Sequence, residues 1–260
     1  MGDKGGNRGA CKRIALAHAF NCRDLGGYPC KDGRAVAFRK LIRCDNPSAL
    51  TGEEWRVLYD YGVRCVIDLR SSVEANMSPY KPDEEIERIA FPLQNEDEQI
   101  RALQGKSADE IDPDELARSV GKAFGKSLLD GYEQTLENSK ERVAAVLNLI
   151  GERVERGAVL FHCTAGKDRT GVVAALLYLL CGVGEADIIA DYQVTETYLA
   201  ASGMLSKVPE RYRPLLCSNP DTMRRFLESA RTRDYFGLLR KHGLSEEAVR
   251  SIRRCATEAW

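Results

Sequence analysis

The chain has 260 residues, 43% hydrophobic and 30% charged, which suits a soluble globular protein built as one large domain. Its 38 cationic and 39 acidic side chains leave a net charge of −1, which excludes a global pull toward nucleic acid or a membrane surface; attraction for an anion has to be local. Nine scattered cysteines beside only three histidines indicate neither a disulfide framework nor a zinc site.

A chain rich in free thiols suits a reducing compartment, so the expected location is cytoplasmic, or outside the cell by a route without a standard signal. No stretch reaches the roughly 18–20 uninterrupted apolar residues of a membrane span, and the N-terminus lacks a secretory apolar core. Met1-Gly2 would begin a myristoylation motif, but Gly6 stands where Ser or Thr is required. No metal or cofactor is expected, and nothing in the sequence sets the oligomeric state.

Residues 1–12, rich in Gly and cations, read as a disordered tail. Phe20 to Tyr28 ends in the turn signal Gly26-Gly27 and carries Arg23 and Asp24, which either pair with each other, brace an active loop, or belong to a surface turn. Arg34 to Arg43 holds two short strands after the hairpin cue Asp32-Gly33. Thr51-Gly52-Glu53-Glu54 is a capping box, and Trp55, Leu58 and Tyr59 follow at helical spacing until Gly62.

Val63 to Leu69 is a buried strand, with Asp68 and Arg70 at its exit. In open α/β sheets the carboxyl ends of strands line the ligand crevice, so both side chains are expected at the mouth of the site. Asp68 is either a general acid or the group that holds Arg70 in place. Ile86 to Phe91 reads as another strand. The acidic segment 95–130 has helical spacing through Leu116, Val120, Phe124 and Leu128; it is either a helical lid insertion over the site or a helical pair packed on the sheet. Val143, Val146, Leu147, Ile150 and Val154 make an amphipathic helix with Gly157 as its C-cap.

The chain is organised around Val159 to Gly171, followed by the apolar run Val172 to Leu180. A β-branched and aromatic strand enters a polar loop, and the loop enters a helix long enough to be buried. Unpaired N–H groups of the first helical turn point back into that loop, which makes it an anion site. Cys163 opens the loop, and at helix N-termini with cationic neighbours a thiol falls from about 8.5 to roughly 3.5–7.5. Five residues separate Cys163 from Arg169, which offers a planar fork for two phosphate oxygens, with Lys167 as a second cation. Beyond the buried helix, Gly182 and Gly184 break the chain, Glu185 to Leu199 is helical, and 203–260 holds helices near Thr222 to His242 and Ser245 to Trp260.

His162-Cys163-Thr164-Ala165-Gly166-Lys167-Asp168-Arg169-Thr170-Gly171 resembles the signature loop of the cysteine-dependent tyrosine and dual-specificity phosphatases. Its Gly-Lys-Asp-Arg variant is similar to that of the bacterial tyrosine/lipid phosphatase family. Phe20-Asn21-Cys22-Arg23-Asp24-Leu25-Gly26-Gly27-Tyr28 resembles the N-terminal signature of that family, Val66 to Ser71 with Glu74 its middle motif, and Asp191-Tyr192 its usual residues there.

The resemblance implies an α/β cysteine-dependent phosphatase fold over 1–260, with a central, mainly parallel sheet and helices on both faces. It implies phosphotyrosine proteins or phosphoinositides as substrates, with phosphoserine/threonine as an extension. Cys163 is then the nucleophile; Arg169 and the amides of Thr164, Ala165, Gly166 and Lys167 hold the phosphoryl group. Lys167 reaches a further phosphate, and Thr170 either donates to the sulfur or simply starts the helix. Asp168 is the favoured general acid, Asp68 the second choice and an acid within 95–130 the third. His162 points to the opposite side of the strand from Cys163 and braces the loop, with Asn21, Arg23, Asp24 and Arg70 in support.

Overall fold

The computed structural model describes residues 12–94, 128–201, 203 and 217–259. The tail expected over 1–12 and the lid or helical pair expected over 95–130 lie almost entirely outside them. In chain order the strands are β1 (Arg23–Asp24), β2 (Arg34–Val36), β3 (Leu41–Cys44), β4 (Val63–Asp68), β5 (Glu87–Ala90), β6 (Ala158–His162) and β7 (Thr257–Ala259). The helices are α1 (Gly52–Tyr61), α2 (Ser72–Met77), α3 (Leu128–Arg153), α4 (Asp168–Cys181), α5 (Glu185–Ala201), α6 (Pro220–Thr232), α7 (Tyr235–Lys241) and α8 (Glu246–Cys255).

The main sheet runs β1-β3-β6-β4-β5, parallel throughout except for β1. Alternation along β6 gives the sheet two apolar faces, as a strand covered on both sides requires. Val159 and Phe161 face a large core shared with α3, α4 and the C-terminal helices. Leu160, with Ile42 and Val66 from its neighbours, faces a second core under Trp55 and Leu58 of α1. The register sets Cys44 and Asp68 on either side of His162, so three parallel strands end at one level and open on one crevice.

The capping box at Thr51 forms with both of its hydrogen bonds, and Gly62 ends α1 in the left-handed region at φ 117°. Three expectations differ from the outcome. Gly157 does not owe its place to capping: a Cβ there would stand 2.4 Å from Cγ of Arg64. The helix read from Thr222 to His242 is two helices, divided where Asp234 takes φ 46° and accepts a hydrogen bond from the Gly237 amide. The last helix stops at Cys255, and Thr257–Ala259 instead pairs with β2, satisfying backbone groups that β2 would otherwise present unpaired.

Candidate active site

Beyond β6 the chain turns through a loop whose carbonyls are all fastened on one side. The Thr164 oxygen accepts from the Asn46 amide at 2.9 Å. The Ala165 and Gly166 oxygens accept from Asn21 Nδ2 at 2.9 and 3.1 Å, and Gly166 also from Arg43 at 2.7 Å. Across a trans peptide the N–H points opposite to the C=O, so the amides of Ala165, Gly166 and Lys167 turn to the other side of the loop, toward the cradle. Gly166 is required twice over. It has φ 65°, and a Cβ would meet the Cys44 carbonyl oxygen at 2.4 Å. Cys163, 3% exposed, lies at the start of this loop, and α4 begins at Asp168 with no side chain capping its N-terminus.

Arg169 is held end-on by Glu74, with its two terminal nitrogens 2.6 and 2.7 Å from the two carboxylate oxygens. Thr164 donates its hydroxyl to the same carboxylate. Glu74 is itself fixed, because α2 begins with a capping box in which Ser71 and Glu74 bond reciprocally. Burial opposes its charge, but Arg169, Thr164 and the Ser71 amide outweigh burial and hold it at about 2. A capping residue thus doubles as the anchor of a guanidinium 95 positions away.

A buried ionic layer lies behind the loop. Asp191 of α5 sits between Arg23 Nε at 3.1 Å and Arg43 at 2.9 Å, and Arg43 extends to the Gly166 carbonyl. Arg23 also donates to the side-chain oxygen of Asn21, whose amide end holds the loop. Asp24, the next residue on the strand, faces the other way. It accepts from the amides of Gly26 and Arg39 and from the Tyr61 hydroxyl, so it folds the turn after β1 and neither pairs with Arg23 nor touches the loop.

At the exit of β4, Asp68 takes both nitrogens of the Arg70 fork at 2.9 and 2.8 Å, and Arg88 at 2.9 Å. Burial pushes its carboxyl up, but Arg70, His162 and Arg88 prevail and hold it at about 2. Arg70 is spent on Asp68, Asn46 and the Ser78 carbonyl. His162 is wholly buried; its Nδ1 is 2.9 Å from the Cys163 carbonyl and its Nε2 is 2.6 Å from the Tyr80 hydroxyl. A carbonyl can only accept, so Nδ1 carries the proton and Nε2 accepts from Tyr80.

Burial lowers the His162 imidazole from 6.5 to about 4. Between those values the unfolded chain binds a proton that the folded protein refuses, so stability is expected to fall as pH drops from about 6.5 toward 4. Following the ring by NMR tests this; an imidazole titrating near its ordinary value in the folded protein would refute it.

Asp168, in the first turn of α4, accepts from the Tyr132 hydroxyl at 2.7 Å, and the Lys167 ammonium lies 3.4 Å from the same oxygen. The Lys167 side chain is fully buried, and its ammonium lies against Asp168 and the Cys217 carbonyl. The buried Thr170 hydroxyl has no hydrogen-bond partner among the described residues. Nothing local in the sequence marks Tyr80, Arg88, Arg43, Asn46 or Tyr132 as part of the site. Among the described residues no group of side chains is placed to hold a metal, and no helix is long and apolar enough to cross a membrane.

A near-buried cysteine at the end of a central parallel strand, opening an amide cradle with a fixed guanidinium at its far end, is the arrangement of a cysteine-dependent phosphatase. The chain belongs to the tyrosine phosphatase family, whose profile matches residues 14–258. It is 31% identical over 213 residues to a candidate tyrosine-protein phosphatase of Cupriavidus necator, covering 78% of this chain and 73% of that one. A tyrosine-protein phosphatase of Nostoc commune is 33% identical over 64% of this chain and 51% of its own, so the match spans about half of that relative. The triple specificity protein phosphatase PtpB of Mycobacterium tuberculosis is 29% identical over 68% and 67%.

Proposed function

We propose that the chain is a single phosphatase domain that hydrolyses phosphate monoesters, phosphotyrosine first among them, through a phosphocysteine intermediate. The substrate dianion enters the cradle, and the Cys163 sulfur attacks phosphorus in line with the leaving oxygen. The amides of Ala165, Gly166 and Lys167, with Arg169, take the equatorial oxygens. As the P–O bond breaks its electron pair stays on the leaving oxygen, which takes a proton from Asp168. Water then attacks the phosphocysteine, the Asp168 carboxylate accepts its proton, and the S–P bond breaks to return thiolate and free phosphate. Thr170, whose hydroxyl has no hydrogen-bond partner among the described residues, donates to the departing sulfur. The loop supplies this charge compensation from its own groups, so the reaction needs no metal.

Asp68 acts as a brace in this scheme. A carboxylate held at about 2 by two guanidiniums and an imidazole is ionised at working pH and has no proton to give. The inward Lys167 favours a monoester on a protein side chain over a multiply phosphorylated ring, while the similarity to a triple specificity phosphatase keeps other phosphate esters in the test. The nucleophile has to stay reduced, which a cytoplasmic setting provides.

The observation that carries the proposal is the loop itself, with its carbonyls bound behind it and Arg169 clamped at its far end. The test is turnover of a labelled phosphotyrosine peptide in chelator, with rapid quench and peptide mapping, beside phosphoserine and phosphoinositide substrates. Label on the Cys163 peptide is expected. Reduced protein that gives no turnover, or that carries label elsewhere, would overturn the reading.

A further inference from the structure

Asp168 is gripped by a residue that lies outside the loop. Tyr132, near the start of α3, donates to Asp168 Oδ1 at 2.7 Å, and the Tyr192 hydroxyl of α5 stands 2.9 Å from that of Tyr132. Both phenols are buried, at 1% and 2% exposure, with their rings edge to face at 6.0 Å. An ionised carboxylate can only accept, so Tyr132 spends its proton on Asp168 and its oxygen must accept from Tyr192. Burial raises both phenols above their ordinary value, so donation runs from Tyr192 to Tyr132 to Asp168 across the working range.

We infer that Tyr132 is the positioning residue of the general acid: by occupying Oδ1 it makes Oδ2 the oxygen that carries the proton and hands it to the leaving group. The inference rests on the reading of Asp168 as that acid. Oδ1 also faces the Lys167 ammonium at 3.4 Å, so a proton placed on Oδ1 would meet two donors head-on. As the proton leaves Oδ2, negative charge grows on the carboxylate and the bond from Tyr132 strengthens, which favours the transition state over the bound substrate. Lys167 from the loop faces this carboxylate directly; Arg43 from β3 and Glu196 from α5 face the phenol behind it.

Tyr132→Phe keeps the ring and removes the donor. A bond of this kind to a charged group is worth about tenfold in rate, so kcat on phenyl phosphate should fall by about that factor. On p-nitrophenyl phosphate, whose leaving group needs little protonation, the fall should stay under about threefold, with KM unchanged. Tyr192→Phe should act in the same direction and more weakly.

Asp168→Asn separates the two readings. Loss of about 10²–10⁴ on phenyl phosphate with little on p-nitrophenyl phosphate upholds the acid, and equal losses on both overturn it. If the acid stands and either phenol variant, folded by its urea midpoint, keeps the wild-type leaving-group dependence, the positioning role is overturned. Equal losses on both substrates in Tyr132→Phe also overturn it, because they would mark a purely structural residue.

Discussion

Replacing Arg169 with Lys is expected to lower kcat on p-nitrophenyl phosphate by about 10³-fold while leaving the urea midpoint close to wild type. A guanidinium carries five N–H donors in one plane, enough to grip Glu74 through its end and a phosphoryl group through its side. An ammonium has three donors and no plane. Lysine would therefore keep the charge and lose the fork, and charge alone gives little orientation in a step that depends on placing donors at the equatorial oxygens. Glu74→Gln should be milder, about tenfold, since the amide keeps one acceptor for Arg169 but gives up the charge. Glu74 is held at about 2, so the clamp stays ionised throughout the working range and the two variants should differ in rate with no new pH limb near 4. Comparable kcat for Arg169→Lys and wild type would mean that Arg169 contributes charge without geometry.

Much of this site was legible because its parts are local. The β-branched strand, Cys163, the polar loop and the buried helix are contiguous, and the anion-binding property of a helix N-terminus needs nothing from elsewhere. The capping box at Thr51 was likewise readable within four residues. The same rule applied to Ser71-x-x-Glu74 would have found the cap of α2, yet nothing local reveals that Glu74 also holds Arg169.

The remainder depends on which strands pair. Arg43 reaches the loop because β3 lies beside β6 in parallel register, and Asp191 reaches Arg43 across 148 positions of sequence. For Arg23 and Asp24 the sequence leaves pairing, bracing and a surface turn open; strand alternation sends one into the ionic layer and the other into a turn. Lys167 was expected to reach a further phosphate; its direction follows from contacts with Asp168 and the Cys217 carbonyl that a motif cannot specify.

The ionic layer behind the loop should be the costliest to break. Asp191→Asn is expected to lose about 3–5 kcal/mol of stability at neutral pH, because it leaves the buried Arg23 and Arg43 facing each other with an amide in place of the charge between them. The sign with pH is fixed. Burial opposes the Asp191 charge, but Arg23 and Arg43 outweigh it and hold the group at about 2 against an ordinary 3.8. Its contribution is complete above the ordinary value and disappears as pH falls through about 2, so the deficit of the variant should shrink in that window and nowhere above it. Urea midpoints across this range measure it, and a deficit under about 1 kcal/mol at neutral pH would show that the layer is not a working ion pair. Stability and function should then separate in the triple variant Arg23→Met, Asp191→Leu, Arg43→Met. Apolar replacement of a whole buried ionic group is often neutral or stabilising, so the fold should recover most of the loss. Activity should not recover, because the Gly166 carbonyl loses the N–H of Arg43 that turns the loop amides toward the phosphate.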